Sequence, residues 1–241
     1  MKTHTEYKIL VIGDSCEDVF IYGKTDRLCP ESPAPVFNPL NKKVSGGMAK
    51  NVSLILCSLK VNVDLVTNKS KIIKTRYVDK NSNYLFLRVD ENDFCERIEN
   101  TKEINYKKYD AVIISDYDKG FLKNEDIYMI SCYHPLTFLD TKKRLNDWCE
   151  KIKYIKINRK EYNKNKQFVD EKILDKTIIT LDKEGCNFKG KNYPSIGKNT
   201  VDRTGAGDCF LASLAYQYIK SKNIYKSIKF ANSAALKYIT R

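Results

Sequence analysis

The residues best equipped for chemistry lie together in the run Val201-Asp202-Arg203-Thr204-Gly205-Ala206-Gly207-Asp208-Cys209-Phe210. Two glycines flank a small residue, an aspartate follows, and an apolar helical pattern starts at once. A helix that begins on glycines leaves its first backbone N–H groups free, and the helix dipole favours an anion there. A carboxylate in the same place repels phosphate. Its presence makes sense if it accepts a proton from a hydroxyl that attacks that phosphate. The stretch therefore reads as a phosphoryl-transfer centre, with Asp208 as general base and the N–H groups of Gly205, Ala206 and Gly207 as an anion hole. The plainer reading is a glycine-rich turn capped by aspartate.

Other segments offer polar side chains at the ends of apolar runs. Gly13-Asp14 closes the run 7–13, with Asp18 four residues on. Ser45-Gly46-Gly47-Met48-Ala49-Lys50-Asn51 puts a double glycine ahead of an asparagine. Asn158-x-x-Glu161 is either a helix capping box or a polar pair for a metal site, since the two patterns coincide. Lys119 and Lys142 are either solvated surface charges or partners for an anionic substrate.

The elements that must position these residues follow from periodicity. The run 7–13 (YKILVIG) suits a buried parallel strand, 46–60 a helix and 61–67 a strand. Residues 71–79 and 84–90 read as two strands about the polar turn 80–83. From residue 109 strands (109–115, 136–140, 153–158, 177–182) alternate with helical segments (124–132, 158–165, 168–174). A hairpin over 185–193 and two helices, 205–220 and 223–238, follow. Such alternation predicts an α/β fold with a mostly parallel sheet covered on both faces, whose ligands bind beyond the carboxyl ends of the strands. The proline-rich stretch 29–36 reads as a stiff loop or a substrate contact.

The 241 residues suit one domain and a substantial core. The net charge of +13 arises from lysines scattered along the whole chain, with no basic block or aromatic RNA-binding signature, so a nucleic-acid partner is not expected. The eight cysteines contain no C-x-x-C, and with only two histidines a zinc cluster is not expected. No apolar run approaches ~18 residues, so no membrane span is expected. The N-terminus has no signal-peptide pattern, and a cytoplasmic location follows as the expectation.

Asp-x-Thr-Gly-Ala-Gly-Asp followed by an apolar helix resembles the C-terminal signature of the PfkB/ribokinase family of sugar kinases. Gly13-Asp14 with Asp18, the segment 45–51 and Asn158-x-x-Glu161 resemble further motifs of the family, in the same order. The resemblance implies a three-layer ribokinase-like fold with a small β lid near 34–40 and 71–90, acting on a sugar with ATP and Mg²⁺. It assigns Asp14, Asp18, Gly46, Gly47 and Asn51 to the sugar, Thr180, Gly185 and Asn232 to the nucleotide, and Asn158 and Glu161 to magnesium through water. It also implies a homodimer paired through the lid.

Three segments resemble the members that phosphorylate D-glycero-D-manno-heptose 7-phosphate at C1. These are 26–36, Ser115-Asp116-Tyr117-Asp118-Lys119-Gly120, and Lys74-Thr75-Arg76-Tyr77 with Arg88-Val89-Asp90. Asp140-Thr141-Lys142 resembles a fourth motif of that group. Arg76, Arg88, Lys119 and Lys142 would supply cations for the phosphate already on such a substrate. Another sugar, or a degenerate binding protein without activity, are the alternatives. Only Asn68-Lys69-Ser70 separates two strand segments that the family joins by a longer stretch, so the sheet is expected to be shortened at one edge. The chain also ends early relative to the family, and Arg203 stands where a small or apolar residue is usual.

Overall fold

A computed structural model describes residues 7–195 and 204–240. The main sheet has eight strands in the order β12-β11-β10-β9-β8-β7-β1-β4. These are β1 (Lys8–Gly13), β4 (Asn62–Val66), β7 (Ala111–Asp116), β8 (Thr137–Thr141), β9 (Tyr154–Asn158), β10 (Thr177–Thr180), β11 (Cys186–Phe188) and β12 (Lys191–Tyr193). The pairs from β4 across to β10 are parallel, and β11 and β12 add an antiparallel hairpin. The α/β expectation holds.

Alternation along the strands feeds two cores, one on each face of the sheet. Ile9 and Val11 of β1 and Ala111 and Ile113 of β7 pack with α1 (Ala49–Ser58), α5 (Ala206–Ser221) and α6 (Ile224–Ile239). Leu10, Ile12, Val112 and Ile114 point the other way, against α2 (Asn124–Tyr133), Trp148 and Ile173 of α4 (Glu171–Leu174). A strand buried on both faces must read as a continuous apolar run, which is why these strands were legible.

The second sheet has the order β3-β2-β5-β6, from β2 (Ser15–Cys29), β3 (Ser32–Met48), β5 (Ile73–Asp79) and β6 (Leu85–Glu91). It contains the expected lid strands and is larger than expected. Residues 15–29 form one long strand, and the stretch 29–36 enters the β2–β3 hairpin instead of a stiff loop. Pro33, Pro35 and Pro39 are tolerated because β3 is the edge strand, where a missing N–H leaves no ladder bond broken on the open side.

The lid's root is tied together. The Thr67 hydroxyl donates to the Gly13 carbonyl (2.7 Å), and Asn68 accepts from Ser15 N–H (2.7 Å) and donates to Ser15 and Ser70 carbonyls. Glu96 accepts from the N–H groups of Lys69 and Ser70, and these bonds hold its carboxyl down at about 2, with the Ser70 side chain the largest cause. On the far side β3 runs into α1 with no residue between Met48 and Ala49. The main sheet ends at β4, as expected from the short link 68–70.

Candidate functional site

The start of α5 sits between two cavities. One, of about 610 Å³, lies under the lid and is lined by Asp18, Gly46, Asn51, Arg76, Gly205 and Asp208 among others. The other, of about 230 Å³, is lined by Lys156, Asn158, Thr180, Gly185, Ala206, Gly207 and Asn232. Tyr117, Lys142 and Ile239 line both.

Gly205 is the N-cap of α5 at φ 79°, a left-handed conformation that an L side chain resists. The first intrahelical bond runs from Cys209 N–H to the Gly205 carbonyl (2.9 Å), so the N–H groups of Ala206, Gly207 and Asp208 have no acceptor within the helix. A Cβ on Gly207 would stand 2.9 Å from the Lys156 ammonium, so glycine here lets the buried lysine approach the helix start. Lys156 pairs with Asp140 at 2.8 Å.

Asp208 is 4 % exposed. Its Oδ2 accepts from Asn51 Nδ2 (2.8 Å) and its Oδ1 from the Tyr117 hydroxyl (2.7 Å). Burial dominates its electrostatics and lifts its pKa to about 6, opposed by those two hydrogen bonds. The carboxyl is thereby ionised near neutrality and basic enough to accept a proton.

The structure gathers most of the residues singled out in the sequence and separates a few. Asp18, Gly46, Asn51, Arg76, Arg88, Lys119 and Lys142 line the larger cavity. Thr180, Gly185, Asn232 and Asn158 line the smaller. Asp14 lines neither. It is fully buried, and its carboxylate accepts from the N–H groups of Tyr117 (2.6 Å) and Phe121 (3.3 Å), which fixes the loop after β7. Gly47 is also absent from the lining, since a Cβ there would fall 2.2 Å from Asp18 Oδ2; it makes room for that carboxylate. Asn51, expected to hold a sugar hydroxyl, is bonded to Asp208 and accepts from the Tyr238 hydroxyl (3.2 Å). Asp202 and Arg203 lie outside the described residues.

Five of the cations lining the larger cavity are held by carboxylates. Arg76 donates to Asp18 (2.5 Å), Arg88 binds Asp90 through two nitrogens, and Asp93 takes both Lys74 (2.9 Å) and Lys119. Lys142 donates to Glu161. Burial alone would lower the Lys142 pKa, but Asp140 and Glu161 outweigh it and the net direction is upward. Tyr117 and Lys156 had no role assigned from the sequence. The signal for Tyr117 was present in the 115–120 motif, whereas nothing marks Lys156 in a strand.

Asn158 and Glu161 form a reciprocal capping box at the start of α3 (Arg159–Asn165), with Glu161 N–H to Asn158 Oδ1 at 2.9 Å and Asn158 N–H to Glu161 Oε2 at 2.7 Å. Among the described residues no group of three or more His, Cys, Asp or Glu could hold a metal alone. Asp140 Oδ1, however, is buried with no hydrogen-bond partner, and the Lys142 ammonium lies 4.0 Å from it. One spare carboxylate oxygen beside an anion site fits magnesium, which keeps most of its waters and takes nucleotide phosphate oxygens as ligands. All eight cysteines are free thiols; burial pushes Cys16, in the larger cavity, up to about 12.

Residues 122–241 match the model of the pfkB family carbohydrate kinases. The C-terminal part of the chain, which includes the start of α5, is thus similar to that family. It is 30% identical over 285 aligned positions to the bifunctional protein HldE of Helicobacter pylori, covering 95% of this chain and 62% of that one. It is 29% identical to HldE of Nitratiruptor, covering 95% and 60%. The chain thus spans about three-fifths of the length of these relatives. The Helicobacter alignment exceeds this chain's 241 residues by at least 44 positions, in keeping with the shortened sheet. A ribokinase from Thermotoga maritima superposes with a TM-score of 0.71 at 17% identity, covering 98% of this chain and 93% of that one. Arabidopsis thaliana ribokinase, solved with ribose and ATP, superposes at 0.69 and 12% identity with the same coverage. The fold is ribokinase-like. None of its described helices is long and apolar enough to cross a membrane.

Proposed function

We propose that the chain is a kinase domain that transfers the γ-phosphoryl group of ATP to the C1 hydroxyl of D-glycero-D-manno-heptose 7-phosphate. The observation that carries this reading is Asp208, a buried carboxylate with a pKa near 6 at the start of α5, between a larger cavity rich in cations and a smaller one that includes the glycine-led helix start. The sugar occupies the larger cavity with its reacting hydroxyl at Asp208. Asp18, Gly46 and Asn51 face its hydroxyls, and Arg76, Arg88, Lys119 and Lys142 meet its phosphate. ATP occupies the smaller cavity beside Thr180, Gly185 and Asn232, its terminal phosphate at the N–H groups of Gly205 to Asp208. Asp208 accepts the hydroxyl proton as the oxygen attacks, and the helix N-terminus and Lys156 stabilise the charge on the transferring group. Magnesium, when bound, neutralises phosphate charge; Asn158, Glu161 and Asp140 are the residues that would hold it through water.

Asp14 and Gly47 act on the sugar indirectly in this scheme, by fixing the loop at Tyr117 and by seating Asp18. Val44 of β3 and Leu87 and Val89 of β6 are exposed on the lid face opposite the cavity, which supports pairing of two lids in a homodimer. The test is a panel of sugars and sugar phosphates with ATP and Mg²⁺, read by ADP release. Turnover that requires the terminal phosphate supports the assignment, and faster turnover of an unphosphorylated sugar overturns it.

A further inference from the structure

We infer that Tyr117 is a positioning residue for phosphoryl transfer: its hydroxyl fixes the Asp208 carboxylate, and its ring forms the partition between the two cavities. The inference rests on the reading of Asp208 as the base. Three observations meet at this side chain. Its hydroxyl donates to Asp208 Oδ1 at 2.7 Å. It lines both cavities. The Lys142 ammonium lies 4.9 Å from its ring centroid, a cation–π contact that aligns the one lysine lining both cavities with the same wall.

Its backbone is fixed as well. Tyr117 N–H donates to the buried Asp14 carboxylate, and the residues that follow include Asp118 at φ 58° and Gly120 at φ 108°. The bond to Asp14 ties the loop to the end of β1, so the phenol arrives at Asp208 already oriented. Burial and the neighbouring Asp208 carboxylate both raise the phenol pKa well above its ordinary value, so the hydroxyl stays protonated and remains a donor. Asn51 holds the other carboxylate oxygen from α1. An aspartate gripped once on each oxygen keeps a second lone pair on each, and one of these can accept from the acceptor hydroxyl of the substrate. Rotation of Asp208 away from that hydroxyl would break one of two charged hydrogen bonds. The other charged and titratable groups facing Asp208 are Cys16 from β2, Asp140 from β8, Lys142 after β8, Lys156 from β9 and Tyr238 from α6.

Tyr117→Phe keeps the ring, the partition and the cation–π contact and removes only the donor. The test titrates the Asp208 carboxyl by ¹³C NMR in wild type and Tyr117→Phe, the signal being assigned by its loss in Asp208→Asn. The pH–rate profile of ADP release with ATP, Mg²⁺ and heptose 7-phosphate is measured beside it. The expected result is an Asp208 pKa higher by about one unit, the acid limb displaced equally, and a plateau kcat about tenfold lower with the ATP KM little changed. An unchanged Asp208 titration in a folded Tyr117→Phe protein overturns the inference, as does an unchanged plateau kcat. A displaced titration in a protein whose wild type does not phosphorylate the heptose supports the hold on Asp208 and overturns only the substrate assignment.

Discussion

The two cavities beside α5 are built by different means. The larger is a field of side-chain charge: Lys74, Arg76, Arg88 and Lys119 come from the lid and the loop after β7, each facing a carboxylate of Asp18, Asp90 or Asp93. The smaller mixes Lys142, Lys156 and Lys183 with apolar Phe210, Leu236 and Ile239, and its distinctive part is backbone, the start of α5 at Ala206 and Gly207 with Lys156 held beneath Gly207. A site made of backbone suits a ligand whose chemistry never varies, such as the phosphate chain of a nucleotide. A site made of paired charges can be retuned by single substitutions. An incoming anion there must compete with carboxylates already in place, which selects for ligands that bring charge of their own.

The wall between the cavities gives the largest expected effect. Asp208→Asn should lower kcat by about 10²–10⁴ with little change in either KM. Equal loss from removal of any lid cation would break the comparison. The same substitution reports on stability. The folded-state pKa of Asp208 is raised from 3.8 to about 6, so the native state binds the proton more tightly, and this group's contribution to stability falls as pH rises from 3.8 to 6. Asp208→Asn should therefore melt higher than wild type above pH 6, by up to about 3 kcal/mol, and lose that advantage in acid. In wild type, kcat/KM should decline below about pH 6 as the base is protonated.

Next in size is Lys156→Met, on the nucleotide side. It leaves Asp140 buried without its partner and should destabilise the fold by about 3–5 kcal/mol, measured by denaturant unfolding, while raising the ATP KM. Lys119→Ala, on the sugar side, should raise the KM for a phosphorylated sugar about tenfold and leave the ATP KM unchanged. If both constants rise together, the cavities are not separate sites. At the small end, Lys69 and Glu99 form an ion pair with both side chains more than four-fifths exposed. Lys69→Ala should leave melting and turnover unmoved.

The same contrast governs what the sequence made legible. Strands buried on both faces, such as β1 and β7, must be apolar throughout, and glycines ahead of an apolar pattern mark a helix start, so the main sheet and the placement of Asp208 in the first turn of α5 could be read directly. Strand β2 alternates Cys16, Asp18, Phe20 and Tyr22 toward the cavity with Val19 and Ile21 away from it. Polar residues on the working face erase the periodicity that marks a strand. Asp14 was misplaced for a related reason: a buried carboxylate that caps two backbone N–H groups and one that holds a hydroxyl have the same sequence signature. Lys156 was invisible because one lysine in a strand says nothing about what lies above it until α5 is folded over it.

The tied root of the lid sets how this protein can move. Thr67, Asn68 and Glu96 bind the entry, exit and return segments of the lid to one another. The lid is a cantilever clamped at its base. Its compliance lies outward, beyond Gly23, where pairing of β2 with β5 stops and the β2–β3 ribbon continues alone with register shifts along its length. Residues 24–39 of that ribbon line neither cavity, so stiffening it would damp the flexure of the lid without touching the residues that line the site.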